Sequence, residues 1–172
     1  MAETSSLDPL HIFRFEVKFF EDREETREGQ GGVPIAQGLF SECTGLEATM
    51  EAQAVQEGGR NYGAVQRTGR VTFATVILKR GVSKSQHLWQ WFDFVTRQGK
   101  YAHRLRVQII LQDNRGRPVL MWTLRNALPV KFKAPDLNAT AGEIGIEELH
   151  LAHEALELAT GRELLVATLE LE

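Results

Sequence analysis

Residues 104–153 read RLRVQIILQDNRGRPVLMWTLRNALPVKFKAPDLNATAGEIGIEELHLAH, and their two-residue alternation decides the fold class. Leu105, Val107, Ile109 and Leu111 fall on one side of an extended segment, with Arg104, Arg106, Gln108 and Gln112 on the other, as in a half-buried strand. Asp113-Asn114-Arg115-Gly116-Arg117 tolerates left-handed backbone angles, so the chain reverses into a second strand over 118–125 and a hairpin results. Asn126-Ala127-Leu128-Pro129 then intervenes, a short strand follows over 130–133, Pro135-Asp136 turns the chain, and a last long strand starts at Glu143. Along that strand Ile144 and Ile146 share one parity while Leu149 and Leu151 share the other, which predicts a bulge or strong twist near Glu147.

Upstream, Phe13, Phe15, Val17 and Phe19 alternate with Arg14, Glu16 and Lys18, giving a strand with an aromatic inner face. Seven of the eight residues 21–28 are charged and Gly29-Gln30-Gly31-Gly32 follows, so about 21–37 reads as a flexible, solvated insertion. Leu39 and Phe40, then Leu46, Ala48, Met50 and Ala52, indicate extended structure interrupted at Cys43-Thr44-Gly45. Helix competes over 47–56, because Glu, Ala, Met and Gln are good helix formers. Gly58-Gly59-Arg60-Asn61-Tyr62-Gly63 is a turn cluster, and a loop of this length in a compact domain usually has a task, such as packing against another subunit. Residues 71–78, rich in β-branched side chains and bounded by Gly69 and Gly81, predict a buried strand. Leu88, Trp91, Phe92 and Val95 lie on one helical face, Ser83 and Gln86 resemble a capping box, and Gly99 stands where a C-terminal cap belongs. One amphipathic helix is expected over 85–98, with Trp91 inward and Trp89 partly exposed at a subunit contact. The tail, about 155–172, supports helix and strand equally.

At 172 residues the chain suits one domain, 1–172, with a substantial core. A hydrophobic content of 42% with 25% charged residues is that of a soluble globular protein, and a net charge of −3 provides no overall basic field for nucleic acid. The single cysteine, Cys43, excludes an internal disulfide framework and a multi-thiolate zinc site. No secretory signal or membrane-spanning run is evident, so the expectation is a chain made and kept soluble in the cytoplasm until assembly, without direct membrane insertion.

Catalytic readings find little support. Among His11, His87, His103, His150 and His153, only His150 and His153 are close, and residues three apart on a strand face opposite ways, so no metal site is expected. Adjacent Glu147 and Glu148 also diverge, and Glu143 lies too far along the strand to cooperate with them directly. Cys43 has no basic neighbour to make it a thiolate. The glycine clusters lack the lysine and hydroxyl context of a phosphate loop. No catalytic residue and no cofactor are expected; a hydrolase using Glu143, Glu147 or His150 is the weakest reading.

Against that background, the chain resembles the tail-tube protein family, the inner-tube proteins of contractile phage tails and extracellular contractile injection systems. Phe13-Arg14-Phe15-Glu16-Val17 is similar to the family's first strand, Phe40-Ser41-Glu42-Cys43-Thr44-Gly45-Leu46-Glu47 to its F-x-E-x-(S/T)-G-L-E segment, and Gln56-Glu57-Gly58-Gly59 to its glycine pair. Ile77-Leu78-Lys79-Arg80-Gly81-Val82 resembles its L-K-R-G strand end. Residues 122–131 and 147–154 resemble its C-terminal strands, and the likeness spans about 10–156. It implies a mainly β fold of two packed antiparallel sheets, a sandwich or barrel, with one flanking α-helix, similar also to the hemolysin-coregulated protein of type VI secretion. It further implies homo-hexameric rings stacked into a tube, with sheath, baseplate and spike proteins as partners and cargo protein or DNA in the lumen. The particle would be a virion tail or a released injection particle.

On this reading Glu57, Gly58, Gly59, Arg60, Asn61, Tyr62 and Trp89 are candidate inter-subunit contacts. Arg104, Arg106 and Gln108, or their opposite-phase neighbours, line the lumen or wall. The insertion and tail exceed a minimal tube subunit and raise a second reading, a specialised ring adapting the tube to the spike at the baseplate. A small-ligand-binding β-sandwich or barrel is the alternative of a different class.

Overall fold

The computed structural model describes residues 10, 12, 14–21, 34–38, 40–59, 61–97, 103–140 and 142–160. Its elements are β1 (Phe15–Glu21), β2 (Pro34–Gly38), β3 (Glu42–Thr44), β4 (Ala48–Val55), β5 (Val65–Phe73), β6 (Val76–Gly81), α1 (His87–Thr96), β7 (Leu105–Gln112), β8 (Pro118–Lys133), β9 (Ile146–Ala152) and β10 (Ala155–Thr160). The first half of β8 lies between β7 and β10, continuing through β1 to β2; its second half pairs with β9, which leads to β6 and β3. Two antiparallel sheets thus share one strand, while β4 and β5 pair with each other as a separate hairpin.

Residues 118–133 form one continuous strand rather than two, because Asn126 absorbs the change of direction at φ 52. Asparagine tolerates this left-handed conformation better than a branched residue would. Its Nδ2 donates to Glu154 Oε2 at 2.8 Å, Arg104 pairs with Glu154 Oε1, and the Glu154 N–H donates to the Arg125 carbonyl at 3.0 Å. Glu154 occupies the short link between β9 and β10, so a single carboxylate pins the corner from both sides.

The core fills the space between the sheets and α1. Val17 and Phe19 of β1, Leu105, Val107 and Ile109 of β7, Leu124 of β8, Val76 and Leu78 of β6, and Leu149 and Leu151 of β9 are all buried. The helix contributes Leu88, Trp91 and Val95, with Phe19 edge-on to Trp91 at 5.7 Å between ring centres. The alternation in 105–111 thus places its apolar set inward, although Gln108 and Ile110 on the opposite phase are buried too.

Four local expectations are corrected. The helix starts at His87 and no capping box forms: Ser83 Oγ accepts from the Ser85 N–H at 3.3 Å, and Gln86, at the N-cap, makes no side-chain cap bond. The strand expected over 71–78 breaks at Ala74-Thr75. Val71 is half exposed in β5, whereas Val76 and Leu78 are buried in β6. The β9 parity does not switch. Glu147, Leu149 and Leu151 all face inward, and Ile144 and Ile146 are exposed. An inward carboxylate is tolerated because Arg80, its register partner on β6, pairs with it while donating Nη2–H to the Ser85 carbonyl at 3.2 Å. Finally, β2 and β10 fall within the segments read as insertion and tail. The remainder of those segments, Phe13, Leu39, and the expected helix end with Gly99 lie outside the described residues.

Arg80 and Glu147 are 8% and 6% exposed, so each charge depends on the other. Glu147→Ala should cost about 3–5 kcal/mol in urea unfolding, whereas the apolar pair Arg80→Met with Glu147→Leu should recover most of that loss. At the corner, the Asn126 amide, then Arg104, hold the Glu154 carboxyl below its ordinary 4.5. Because folding lowers that value, the stabilisation is present above about pH 4.5 and disappears as pH falls through the folded value. Melting temperature against pH should therefore fall less steeply below about pH 4.5 in Glu154→Gln than in the parent.

Candidate assembly interface

The β4–β5 hairpin is an extension of the β3–β6 pair. Gly45, at φ 85, separates β3 from β4, and a Cβ there would lie 2.1 Å from the Thr75 carbonyl oxygen, so the crossing demands glycine. The Ala74 N–H donates to the Glu47 carbonyl at 3.1 Å, carrying the ladder across the break. Beyond it, cross-strand partners place Ala48, Met50, Ala52 and Ala54 with Phe73, Val71, Thr68 and Gln66 on one face, and Thr49, Gln53 and Val55 with Thr72, Arg67 and Val65 on the other, so the apolar face runs along β4 and the base of β5. A bulge between Met50 and Ala52 is accommodated by Gly69, whose Cβ would strike the Glu51 carbonyl oxygen at 2.1 Å.

This hairpin is amphipathic, yet nearly all of it is exposed; Met50 and Val71 are 48% and 49% accessible. A two-stranded hairpin alone is marginal in water, and an apolar face left open implies a covering surface. At its tip Glu57, Gly58, Gly59, Asn61 and Tyr62 are exposed, with Gly59 at φ 85 and Tyr62 at 95%. The structure brings these five expected contacts together; Arg60 lies outside the described residues. Trp89 sits on the body instead, on the outer flank of α1, edge-on to Phe132 at 5.4 Å.

The second sheet ends in two unpaired edges among the described residues. One is the short β3; the other is the second half of β8, because β7 pairing stops at Ala127. Across its outer face runs an alternating row, Glu42–Lys79–Glu148–Lys133, with separations of 3.0 Å for Glu42–Lys79 and 3.8 Å for Glu148–Lys133. The Glu42 hydrogen bond raises the Lys79 pKa, and the His150 hydrogen bond, with Lys133 and Lys79 nearby, lowers that of Glu148. Neighbouring opposite charges on a sheet face support the pairing of its strands.

On the first sheet, Arg104 pairs with Glu154, the Arg106 guanidinium lies 5.4 Å from the Phe20 ring centre, and Gln108 is 8% exposed with no hydrogen-bond partner for Oε1 among the described residues. Burial drives the Cys43 thiol up to about 12, which suits packing rather than nucleophilic chemistry. His150 contacts Glu148 at 3.3 Å, while His153 Nδ1 contacts the Ala155 carbonyl and its ring packs on Phe73 at 5.3 Å. Among the described residues, no three His, Cys, Asp or Glu side chains converge as metal ligands, and no helix is long and apolar enough to cross a membrane. Sequence reasoning missed the Arg80–Glu147 pair and the hairpin's apolar face, although Ala48, Met50, Ala52 and Ala54 carried the signal of the latter.

The fold recurs in contractile injection particles. A chain of the anti-feeding prophage baseplate, six-fold symmetrised, is 28% identical over 90% of this chain and 98% of that one, with a TM-score of 0.74. A chain of the PVC extracellular contractile injection system sheath–tube complex in the extended state is 20% identical, covering 91% and 95%, with a TM-score of 0.70. A type six secretion system protein is 8% identical, covering 84% and 83%, with a TM-score of 0.50, which is likeness of fold alone. No curated protein matches by sequence. The family model for the T4-like virus tail tube protein gp19 matches residues 11–157, and the chain belongs to that family.

Proposed function

We propose that this protein is a structural subunit of the inner tube of a contractile injection particle or phage tail, closing into six-membered rings that stack around a channel. The observation that carries this reading is the exposed amphipathic hairpin beside a sheet with two open edges, in a chain of the tail tube family. Open edges and an uncovered apolar face are liabilities in a monomer and are resolved together by ring closure. The tip residues Glu57, Gly58, Gly59, Arg60, Asn61 and Tyr62, together with Trp89, are the proposed contacts between subunits and rings. Arg104, Arg106 and Gln108, or residues of the opposite phase, belong to the channel wall.

The role is mechanical rather than enzymatic. The related chains occur in a sheath–tube complex and in a baseplate, so sheath and baseplate or spike proteins are the proposed partners, with cargo protein or DNA in the channel. Assembly would take place in the cytoplasm before the particle matures. A second reading, a ring adapting the tube to the spike, is favoured by the 28% identity to the baseplate chain against 20% to the sheath–tube chain.

Native mass measurement of the purified protein should give a species six times the 19.4 kDa chain, and negative-stain images should contain rings or tubes. Monomers at every concentration would refute the proposal. Gly58→Arg and Gly59→Arg both point a charge into open space, but only Gly59 has a positive φ. Both should shorten or abolish tubes, and Gly58→Arg should leave the melting temperature of the subunit nearly unchanged. Tubes of normal length in both variants would remove the tip from the stacking contact.

A further inference from the structure

We propose that residues 161–172 dock across the outer face of the first sheet and close a second, smaller core there. Ile110 of β7 and Met121 of β8 stand opposite each other on that face, turned away from the main core, with Ala159 of β10 beside Met121. Side chains on an uncovered sheet face are open to water. Yet these two are 8% and 7% exposed, and Ala159 is the only hydrophobic side chain packed on them among the described residues. The next outward pair along the strands, Gln108 and Thr123, is buried as deeply. The Gln108 Oε1 atom is enclosed without a donor among the described residues. Such an acceptor is costly unless a hydrogen bond reaches it, so the cover carries donors as well as apolar surface.

Residues 161–172 meet both requirements. They follow β10, whose last pair sets Thr160 opposite Leu120, directly beside Met121. Two strand spacings, about 10 Å, separate β10 from β7, whereas a stretch of this length reaches roughly 40 Å when extended. Leu164, Leu165, Val166, Leu169 and Leu171 supply apolar surface, and main-chain N–H groups with Arg162 supply donors. Other segments fit less well. Residues 22–33 offer Val33 as their one apolar side chain, and Leu10 and Ile12, before β1, are 47% and 79% exposed. The family match ends at residue 157, so kinship with tail tube proteins does not account for this stretch. The contact lies within one chain and does not rest on the ring reading. Gln108 then sits beneath the tail, and whatever meets this side of the subunit, a neighbouring protein or the contents of the channel, meets residues 161–172 first.

Leu165 and Leu169 decide the test, because residues four apart share a face in a helix and in a strand alike. In the full chain, Met121→Cys should react slowly with a thiol reagent. Adding Leu165→Asp and Leu169→Asp should raise that rate by at least about tenfold, since releasing the tail opens this face and leaves the main core closed. Cys43, packed against the main core, reports unfolding in the same experiment. Where Cys43 also becomes reactive, the milder pair Leu165→Ala with Leu169→Ala is read instead, and a severalfold rise at position 121 with Cys43 still protected is the expected result. Fast labelling at position 121 with the tail unaltered would overturn the proposal, as would equal rates with and without the tail substitutions while Cys43 stays protected. A rate that slows only as the protein is concentrated would overturn it too, by assigning the cover to a second copy.

Discussion

The corner at Asn126 is the constraint on which the rest of the structure depends. Because β8 changes direction there and continues, a single strand serves two sheets, and the sheets need no separate connection. Glu154 holds that corner by accepting from Asn126 and Arg104 while its own N–H reaches the Arg125 carbonyl. The cost of sharing is borne by the second sheet. Strand β7 accompanies β8 only as far as Ala127, so the backbone beyond it lacks a neighbour on that side among the described residues.

The same logic runs through the hairpin. Gly45 lets β3 pass into β4 under the Thr75 carbonyl, so the ladder at one edge of the second sheet extends past the core. Past that point no sheet backs the strands, yet the sequence keeps an apolar face there. Within the domain, Arg80 and Glu147 neutralise each other so that β9 can maintain one inward parity, and Phe40 caps the guanidinium at 5.9 Å. The buried charges of Arg80 and Glu147 are therefore paired, while the open strand edges and the exposed apolar face lie at the rim.

Alternation made the β fold legible, because Leu105, Val107, Ile109 and Leu111, with Val17 and Phe19, face the core on a two-residue period, even though Gln108, Ile110 and Phe20 of the other phase are buried too. The β-branched run over 71–78, bounded by glycines, was misread as one buried strand: Val71 belongs to a projecting arm and Val76 to the core. Periodicity cannot distinguish a face buried by its own chain from one awaiting another. It also misread β9, where Glu147 faces inward only because a partner 67 residues earlier in the chain is brought opposite by strand pairing. The hairpin tip was legible from its glycines, but the long reach of β4 and β5 was not, because helix formers such as Glu47, Ala48 and Met50 are extended here by cross-strand pairing. Gln108 on β7 illustrates the limit in the other direction: it reads as polar and outward, and in the folded chain it is buried.

Hydrogen exchange of the β4 amides, Ala48–Val55, tests the central claim most directly, namely that neighbouring subunits complete this chain's open hairpin. In dilute monomer these amides should exchange far faster than those of Leu105–Gln112 in β7, and in assembled rings they should become protected to a comparable degree. Fast exchange of β4 in fully assembled particles would contradict the account.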